Sequence, residues 1–112
     1  MEPIDLRDLV AFDDAGPVHR RVAETDRLWS ELVCLQGPQS IGPIGDDDSD
    51  AMCLVVAGRV AAQVGRSRTR LSQWETLVIP AGSSLTLTNA SEEPAVVLLV
   101  AAPPPVARAV EG

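Results

Sequence analysis

The sequence is short of several residue types, and each shortage argues against a class of protein. It has no lysine and no tyrosine, a single histidine, and only 3% aromatic residues. Nine arginines stand against 16 acidic residues, which gives a formal net charge of −7 at pH 7. Binding to nucleic acid or to an anionic membrane surface requires a basic face. The composition therefore argues against both partners.

The chain also lacks the usual signals for export or membrane insertion. No stretch approaches the roughly 20 apolar residues that a membrane-spanning helix needs. The first residues, MEPID, are acidic and lack the basic region of a secretory signal. Cys34 and Cys53 do not form a CxxC motif, so we expect two buried thiols in a reducing compartment. These features predict a cytoplasmic protein, and the Ala, Arg and Pro content is typical of a GC-rich bacterial genome.

Short aliphatic and β-branched runs, interrupted by Gly, Pro and Asp, predict an all-β fold from residue 18 onward. The predicted strands are 18–23, 28–36, 52–57, 59–64, 67–71, 75–79, 83–89 and 95–102. Residues 37–45 contain too many Gly and Pro residues for a central strand, so we expect a loop or a ragged edge. Strands at intervals of about 8–12 residues are typical of a sandwich or barrel.

The length of 112 residues supports one domain, with a short extension at each end. Residues 1–17 form an N-terminal arm, in which residues 4–12 are expected to be a short helix or an extra strand. Residues 18–102 form the barrel. Residues 103–112 form a flexible Pro-rich tail, because a run of three prolines cannot donate hydrogen bonds to a sheet.

Two segments resemble the sequence motifs of the cupins. Residues 74–89, WETLVIPAGSSLTLTN, resemble the second motif, G-x5-P-x-G-x2-H-x3-N. The residues in register with its proline, second glycine and asparagine are Pro80, Gly82 and Asn89. Residues 54–60 resemble the end of the first motif, with Gly58 as the closing glycine. The resemblance covers about residues 25–102 and implies a double-stranded β-helix, or jelly-roll, barrel.

The same resemblance does not extend to the metal chemistry of the family. Cupins hold a metal ion with two His and one Glu of the first motif and one His of the second. This sequence has no His or Glu at those positions. Leu85 replaces the His of the second motif, and Ala51 replaces the Glu of the first. The two His positions of the first motif are occupied by Gly45 and Asp47 or, with the other spacing, by Ile44 and Asp46. One carboxylate is too few ligands for a transition-metal site. We therefore expect no metal and no other cofactor.

If the register of the family holds, the side chains that face the barrel interior are apolar. The residues predicted to line it, and to bind any ligand there, are Ala51, Cys53, Val55, Leu85 and Leu87, with Asp47 at the rim. Further polar candidates for the rim are Glu31, Arg66, Arg68 and Arg70. A filled interior is favoured over a pocket for a small apolar or amphipathic ligand, because each buried leucine is favourable by about 2 kcal/mol.

The sequence makes less specific predictions for three single residues, His19, Trp29 and Trp74. His19 is followed by two arginines and has no orienting partner in the sequence pattern, so we expect it at the surface or in an interface. Trp29 lies in a predicted strand and is expected in the core. Trp74 takes the place of a turn glycine of the motif, which predicts either an interface residue or a lid over one end of the barrel.

Three functions remain open. The favoured one is a metal-free, non-catalytic cupin-like protein that acts as a small-molecule-binding, structural or regulatory module. The second is a metal-independent isomerase or lyase that works through Asp47, Glu31 or an arginine. The third is a protein-interaction module in which the acidic residues 46–50 meet a basic partner. In each case we expect a homodimer, formed through a sheet edge with exchange of residues 1–12.

Overall fold

The structure, a computed structural model, describes residues 1–105. Within these residues there are nine strands: β1 (Val18–Glu24), β2 (Trp29–Leu35), β3 (Ser40–Gly45), β4 (Asp50–Ala57), β5 (Arg59–Val64), β6 (Ser67–Ser72), β7 (Thr76–Ile79), β8 (Ser84–Thr88) and β9 (Ala95–Ala102). They follow the order of the predicted strands, with β3 in addition. Part of the predicted tail, residues 106–112, lies outside the described residues.

The strands form two antiparallel sheets. The large sheet has the order β1-β2-β9-β4-β7, and the small sheet has the order β3-β8-β5-β6. From β2 onward the chain crosses repeatedly from one sheet to the other, as it does in a jelly roll. The main core contains residues of both sheets, including Val33, Cys53 and Val97 from the large sheet and Val60 and Leu87 from the small one. The prediction of an all-β jelly-roll barrel is confirmed.

The burial of each strand follows from its sequence and its place in the sheet. All seven residues of β2 are buried, since it lies between β1 and β9 with a covered face on both sides. Strand β8 alternates: Leu85 and Leu87 face the core, while Ser84, Thr86 and Thr88 face outward. This alternation with a period of two residues is the pattern of a strand with one face buried.

The N-terminal arm covers part of the outer face of the large sheet. A 3₁₀ helix, Leu6–Leu9, begins after Asp5, whose side chain accepts a hydrogen bond from the Arg7 N–H at 3.0 Å. Leu6, Leu9 and Phe12 pack against Leu32, Cys34 and Val96, which form a second, smaller cluster. Of the two predictions for residues 4–12, the short helix is therefore the one observed. In this single chain the arm lies on its own barrel, so the exchange of residues 1–12 stays a prediction.

The Gly- and Pro-rich segment contains an irregular edge strand. Strand β3 lies at one edge of the small sheet, and its pairing with β8 shifts between Ile41 and Ile44. Gly42 allows this irregularity, because it has a φ of +111° and a Cβ there would lie 2.5 Å from the Leu85 carbonyl oxygen. The ragged edge expected for residues 37–45 is observed.

One end of the barrel is closed by the loop between β8 and β9. Asn89 is fully buried in this loop, and its Nδ2 donates to the carbonyl oxygens of Leu35 and Glu93 at 3.0 and 2.7 Å. Its Oδ1 accepts from the N–H and the hydroxyl of Ser91. The side chain of the motif asparagine therefore joins the loop to the end of β2.

Over residues 1–105, no helix has the length and apolar character that crossing a bilayer requires.

Candidate functional site

A pocket opens at the other end of the barrel, between the two sheets. Its volume is about 150 Å³. Its wall is mainly apolar and includes Trp29, Ile44, Ala51, Leu85, Leu99 and Ala101. Its polar members include Asp46, Ser49 and Ser83. We call it the end pocket. An apolar cavity of about 150 Å³ in another protein is large enough to hold benzene.

Two alanines make this end of the barrel hollow. Ala51 of β4 is paired directly with Ala101 of β9, and both border the end pocket. On the facing sheet, Ile44 of β3 is paired with Leu85 of β8, and both also belong to the wall. Because the paired alanines project only methyl groups toward the small sheet, the space between the sheets stays open there.

The structure brings together the positions at which the resemblance would place metal ligands. Ile44, Ala51 and Leu85 lie in one wall, and Asp46 is the one carboxylate beside them. These residues do not fit the metal ion of the family, because aliphatic side chains provide no lone pair for coordination. In the described part of the chain, no three His, Cys, Asp or Glu side chains are grouped in a way that could hold a metal ion.

The predicted interior residues divide into two sets. Ala51 and Leu85 line the end pocket. Cys53, Val55 and Leu87 lie farther along the same strands, are fully buried in the main core, and do not belong to the pocket wall. The filled interior that the sequence favours therefore describes one end of the barrel, and an apolar pocket occupies the other.

Asp47 lies outside the end pocket, in the depression at its entrance. This outer depression, which we call the acidic mouth, is lined by Asp46, Asp47, Asp48, Gly82, Ser83 and Ser84, among other residues. Asp46 belongs to both the pocket wall and the mouth. Both residues follow the end of β3, and of the two only Asp46 borders the pocket. The carboxylate at the pocket is thus one residue earlier than the one selected from the sequence.

Several wall residues could not be selected from the motifs. Leu99 and Ala101 come from β9, which lies between β2 and β4 and is aliphatic on both faces. Trp29, expected only as a core residue, is 4% exposed and also belongs to the wall. Leu99 and Ala101 are two residues apart, so the sequence predicts that they share one face of β9. Because both faces of β9 are aliphatic, the sequence does not show which face points inward.

Cys53 shows where the end pocket stops. Its side chain is fully buried one inward position beyond Ala51, and burial raises its pKa from the ordinary value of 9.0 to about 11. Desolvation also raises the pKa of Cys34, which lies in the smaller cluster under the N-terminal arm. Both cysteines are free and buried, as expected. A raised pKa makes each thiol a poor nucleophile at neutral pH.

Glu31 and His19 form a hydrogen-bonded pair next to the end pocket, since Glu31 is paired across the strands with the wall residue Leu99 but does not itself belong to the wall. The Nδ1 atom of His19 lies 2.6 Å from Oε1 of Glu31, whose side chain is 4% exposed. The pair joins neighbouring strands, since His19 is in β1 and Glu31 in β2. Beside it, the Arg21 guanidinium lies 5.9 Å from the centroid of the Trp29 ring. The sequence pattern did not show this partner for His19.

The residues proposed for a metal-independent enzyme are not assembled in the pocket. Glu31 and Asp47 are absent from its wall, and the side chain of Asp46 is the one ionisable group there among the described residues. Arg66, Arg68 and Arg70 are exposed on β6, an edge strand of the small sheet. An acid–base pair at a bound molecule needs two groups within hydrogen-bonding reach, and the described part of this wall contains one acidic residue.

The fold resembles a large set of solved structures. A protein of Thermus thermophilus has a TM-score of 0.87 and 27% identity, with 92% of this chain and 98% of that chain covered. An uncharacterized conserved protein with a double-stranded beta-helix domain, from Klebsiella pneumoniae, has a TM-score of 0.85 and 18% identity over 92% and 90% of the two chains.

A third structure bears the family name. An RmlC-like cupin protein of Desulfovibrio desulfuricans has a TM-score of 0.79 and 20% identity, with 92% of this chain and 97% of that chain covered. No protein-family model and no curated protein matches the sequence. The strand order, the alignment of the motif positions and these neighbours agree with one another. The chain therefore has the double-stranded β-helix fold of the cupins, which is the fold that the sequence resemblance predicts.

Proposed function

We propose that the protein is a binding module for a small, largely apolar molecule that enters the end pocket. The observation that carries this proposal is the space of about 150 Å³ between Ala51, Leu85 and Ala101, at the opposite end of the barrel from the fully buried Val55, Leu87 and Val97. Burying about 200 Å² of apolar ligand surface contributes about 5 kcal/mol. This free energy corresponds to a dissociation constant of about 0.1–1 mM, which suits a ligand of about six carbon atoms.

The two tryptophans provide a direct test of binding. Trp29 lies in the pocket wall, whereas Trp74 is 68% exposed in the turn between β6 and β7. We expect a neutral ring compound such as benzyl alcohol to shift the indole N–H resonance of Trp29 and to leave that of Trp74 in place. Saturation in the expected concentration range would support the proposal, and unchanged Trp29 resonances at millimolar probe would contradict it.

A matched pair of variants separates the pocket from the rest of the barrel. Ala51→Leu adds an isobutyl group inside the end pocket, and we expect it to abolish the Trp29 shift. Ala61→Leu adds the same group to β5 at a position between the inward residues Val60 and Ala62, and we expect it to leave binding unchanged. Equal binding by both variants would mean that the probe occupies some other site.

We propose that this binding needs no metal ion. The aliphatic side chains at the positions of Ile44, Ala51 and Leu85 support this proposal. Metal analysis of protein purified without chelator should give iron, manganese, zinc and nickel contents well below one equivalent. One equivalent of any of these metals, retained after dialysis, would overturn it.

We propose also that the protein is a cytoplasmic homodimer. Strand β7 is an edge of the large sheet, and its Val78 is 63% exposed beside the half-exposed Met52 of β4. An edge strand with apolar side chains is a site at which a second copy can add to the sheet. Light scattering at micromolar concentration should give twice the mass of one chain, and Val78→Asp should give the mass of a monomer. A monomeric mass for the unaltered protein would refute the dimer.

A further inference from the structure

The small sheet carries charge of one sign. Residues 59–72, which form β5, β6 and the turn between them, contain four of the nine basic residues and none of the 16 acidic ones. The other two strands of this sheet, β3 and β8, contain no charged residue. The rest of the chain therefore has five arginines against 16 acidic residues. The small sheet is a positively charged region in a chain of net charge −7.

The strand pairing places these arginines on the outer face of the sheet. Val60 and Leu71 are paired across β5 and β6 and are both buried, so the residues that alternate with them point outward. We call this surface, with the turn that adjoins it, the arginine face; its charged members are Arg59, Arg66, Arg68 and Arg70, and all four are exposed. Over residues 1–105 their side chains have no ion-pair or hydrogen-bond partner. Their positive charge is therefore available to another molecule.

Protection of a sheet edge does not account for this charge. Charged side chains on an edge strand often prevent unwanted pairing with other molecules. Arg59, however, lies on β5, which is paired with β8 on one side and with β6 on the other. The edge strand β7 of the large sheet has no charged residue and exposes Val78. The arginines extend from an edge onto an interior strand, which suits a docking surface better than a protected edge.

An exposed tryptophan lies at one end of the arginine face. Trp74 follows Ser72, the last residue of β6, by two positions, so their Cα atoms lie within about 7 Å of each other. The Trp74 side chain is 68% exposed. Tryptophan and arginine are enriched among the residues that contribute most to binding between proteins. Their proximity favours a protein as the partner of this surface.

The size of the arginine face favours a short segment over a long polyanion. Strand β6 has six residues and is about 20 Å long at about 3.4 Å per residue. A nucleic acid that extended past it would meet the excess of acidic residues in the rest of the chain. At physiological ionic strength charges act over about 8 Å, so the local arginines attract a short acidic segment in spite of the net charge.

We propose that the arginine face docks an extended acidic segment of a partner protein, which adds to the free edge of β6 as a further strand. In this single chain β6 is paired with β5 on one side, so its backbone can pair with a new strand on the other. Arg68 and Arg70 are two residues apart, so acidic side chains at alternate positions of the added strand lie beside them. None of the four arginines lines the end pocket or the acidic mouth, so the inference is independent of the proposed function.

Three dye-labelled peptides of about nine residues test the charge and its spacing. The first alternates glutamate with threonine, the second has glutamine in place of each glutamate, and the third has the composition of the first with its glutamates in one block. By fluorescence anisotropy in about 50 mM sodium chloride, we expect the first peptide to bind about tenfold more tightly than the second and about threefold more tightly than the third. The advantage over the second should fall to about twofold in about 0.5 M sodium chloride.

Two further measurements locate the bound peptide. The alternating peptide should shift the indole N–H resonance of Trp74 and leave that of Trp29, in the end pocket, in place. It should also slow amide hydrogen exchange in β6 and not in β7, the edge of the other sheet, because an added strand supplies partners for the N–H groups of β6 alone. Unchanged exchange in β6 at saturating peptide would overturn the strand addition.

A pair of double variants with the same net charge tests the arginines. Arg68→Gln with Arg70→Gln should reduce the affinity for the alternating peptide to that for the glutamine peptide. Arg20→Gln with Arg27→Gln removes two exposed arginines outside the small sheet and should change the affinity by less than about twofold. Thermal unfolding should show that both variants are folded, since all four side chains are exposed.

Other outcomes would overturn the inference. Equal binding of the glutamate and glutamine peptides, or equal loss in the two double variants, would mean that the arginine face does not select an acidic segment. Tighter binding of a single-stranded oligonucleotide of about nine nucleotides than of the alternating peptide would assign a nucleic acid as the partner. Self-association beyond a dimer in about 50 mM sodium chloride, lost on substitution of Arg68 and Arg70, would assign the acidic residues 46–50 of a second copy.

Discussion

The two ends of the barrel are built from the same strands and differ in how they are filled. At the closed end, Val55 of β4, Leu87 of β8 and Val97 of β9 are all fully buried. At the open end, the same three strands contribute Ala51, Leu85 and Ala101 to the wall of the end pocket. The backbone is continuous between the ends, so side-chain volume, rather than topology, decides whether a section of this barrel is core or pocket.

This difference has an energetic consequence. Each Å³ of apolar cavity costs about 24 cal/mol in core truncations, so a cavity of 150 Å³ forgoes at most about 3–4 kcal/mol of stability. That cost is a substantial fraction of the stability of about 5–15 kcal/mol that is usual for a single domain. The closed end must therefore supply the stability that the open end lacks, and the following predictions test this division.

The largest effect should come from the buried asparagine at the closed end. Asn89→Ala removes a side chain that makes hydrogen bonds to Leu35, Glu93 and Ser91. It leaves at least one buried group without a partner, so we expect a loss of about 3 kcal/mol in the free energy of unfolding, measured with urea. Asn89→Asp keeps the acceptor for Ser91 but sets a carboxylate against two carbonyl oxygens, and it should not restore stability. A loss below about 1 kcal/mol would show that the loop is not needed to close the barrel.

A second prediction compares two alanines on β9 that face the interior at opposite ends. Ala95 is fully buried at the closed end beside Leu35, and Ala101 borders the end pocket. We expect Ala95→Val to destabilise the protein by about 2 kcal/mol through overpacking, and Ala101→Val to stabilise it by about 1 kcal/mol by filling space. Thermal unfolding of both variants gives the comparison directly. Effects of the same sign would contradict the distinction between a filled and a hollow end.

The third prediction concerns Cys53, at the boundary between pocket and core. Its folded-state pKa of about 11 lies above the ordinary value of 9.0, because burial disfavours the thiolate. The neutral thiol is thus favoured in the folded state, and the resulting stability is complete below about pH 9 and is lost as the pH rises to about 11. At about pH 10 the loss should be about 1.4 kcal/mol.

Urea unfolding under reducing conditions at about pH 8 and about pH 10 measures this loss. Cys53→Ala should be less stable at the lower pH but should lose less stability between the two pH values. The raised pKa of Cys34 leaves a remaining slope of the same sign in that variant. An unaltered slope in Cys53→Ala would indicate that water from the pocket reaches Cys53.

The sequence was most informative where apolar and polar residues alternate. Strand β8 was predicted with the correct face inward, and the motif register correctly placed Ala51 and Leu85 together. Gly65 lies in the hairpin turn between β5 and β6, whereas the turn at Gly58 carries the chain from β4 in the large sheet to β5 in the small sheet and forms no hairpin. These signals are local, and they determine which face of each strand is buried.

The end pocket and the contact between His19 and Glu31 depend on which strands pair and in which register. The hollow end requires Ala51 to lie opposite Ala101, and these residues are separated in sequence by most of the barrel strands. His19 meets Glu31 only because β1 pairs with β2 in one register, with an irregularity between Arg21 and Ala23. Registers of this kind cannot be read from the composition of either strand alone.

The smallest change in stability is expected from substitutions in two turns, one at each end of the barrel. The turn at the closed end contains Trp74, which has a φ of +72° and whose N–H donates to the Val55 carbonyl oxygen at 2.7 Å. The turn at the open end contains Gly82, with a φ of +87° and open space where a Cβ would lie. Left-handed backbone costs a residue with a Cβ about 1 kcal/mol, so only the open end avoids this strain.

Both turns can be tested with the same pair of residues. We expect Trp74→Gly to be about 1 kcal/mol more stable than Trp74→Ala, since both remove the exposed ring and only alanine keeps the strain. Gly82→Ala should be less stable than the unaltered protein by a similar free energy, because alanine is strained in the left-handed backbone. Its added methyl group meets no other atom, so a steric clash adds nothing to this loss. Equal stability of the two Trp74 variants, together with a loss in Gly82→Ala, would mean that the closed-end turn relaxes when the ring is removed. Strain at that end would then be a consequence of holding Trp74 at the surface, where a second molecule could cover it.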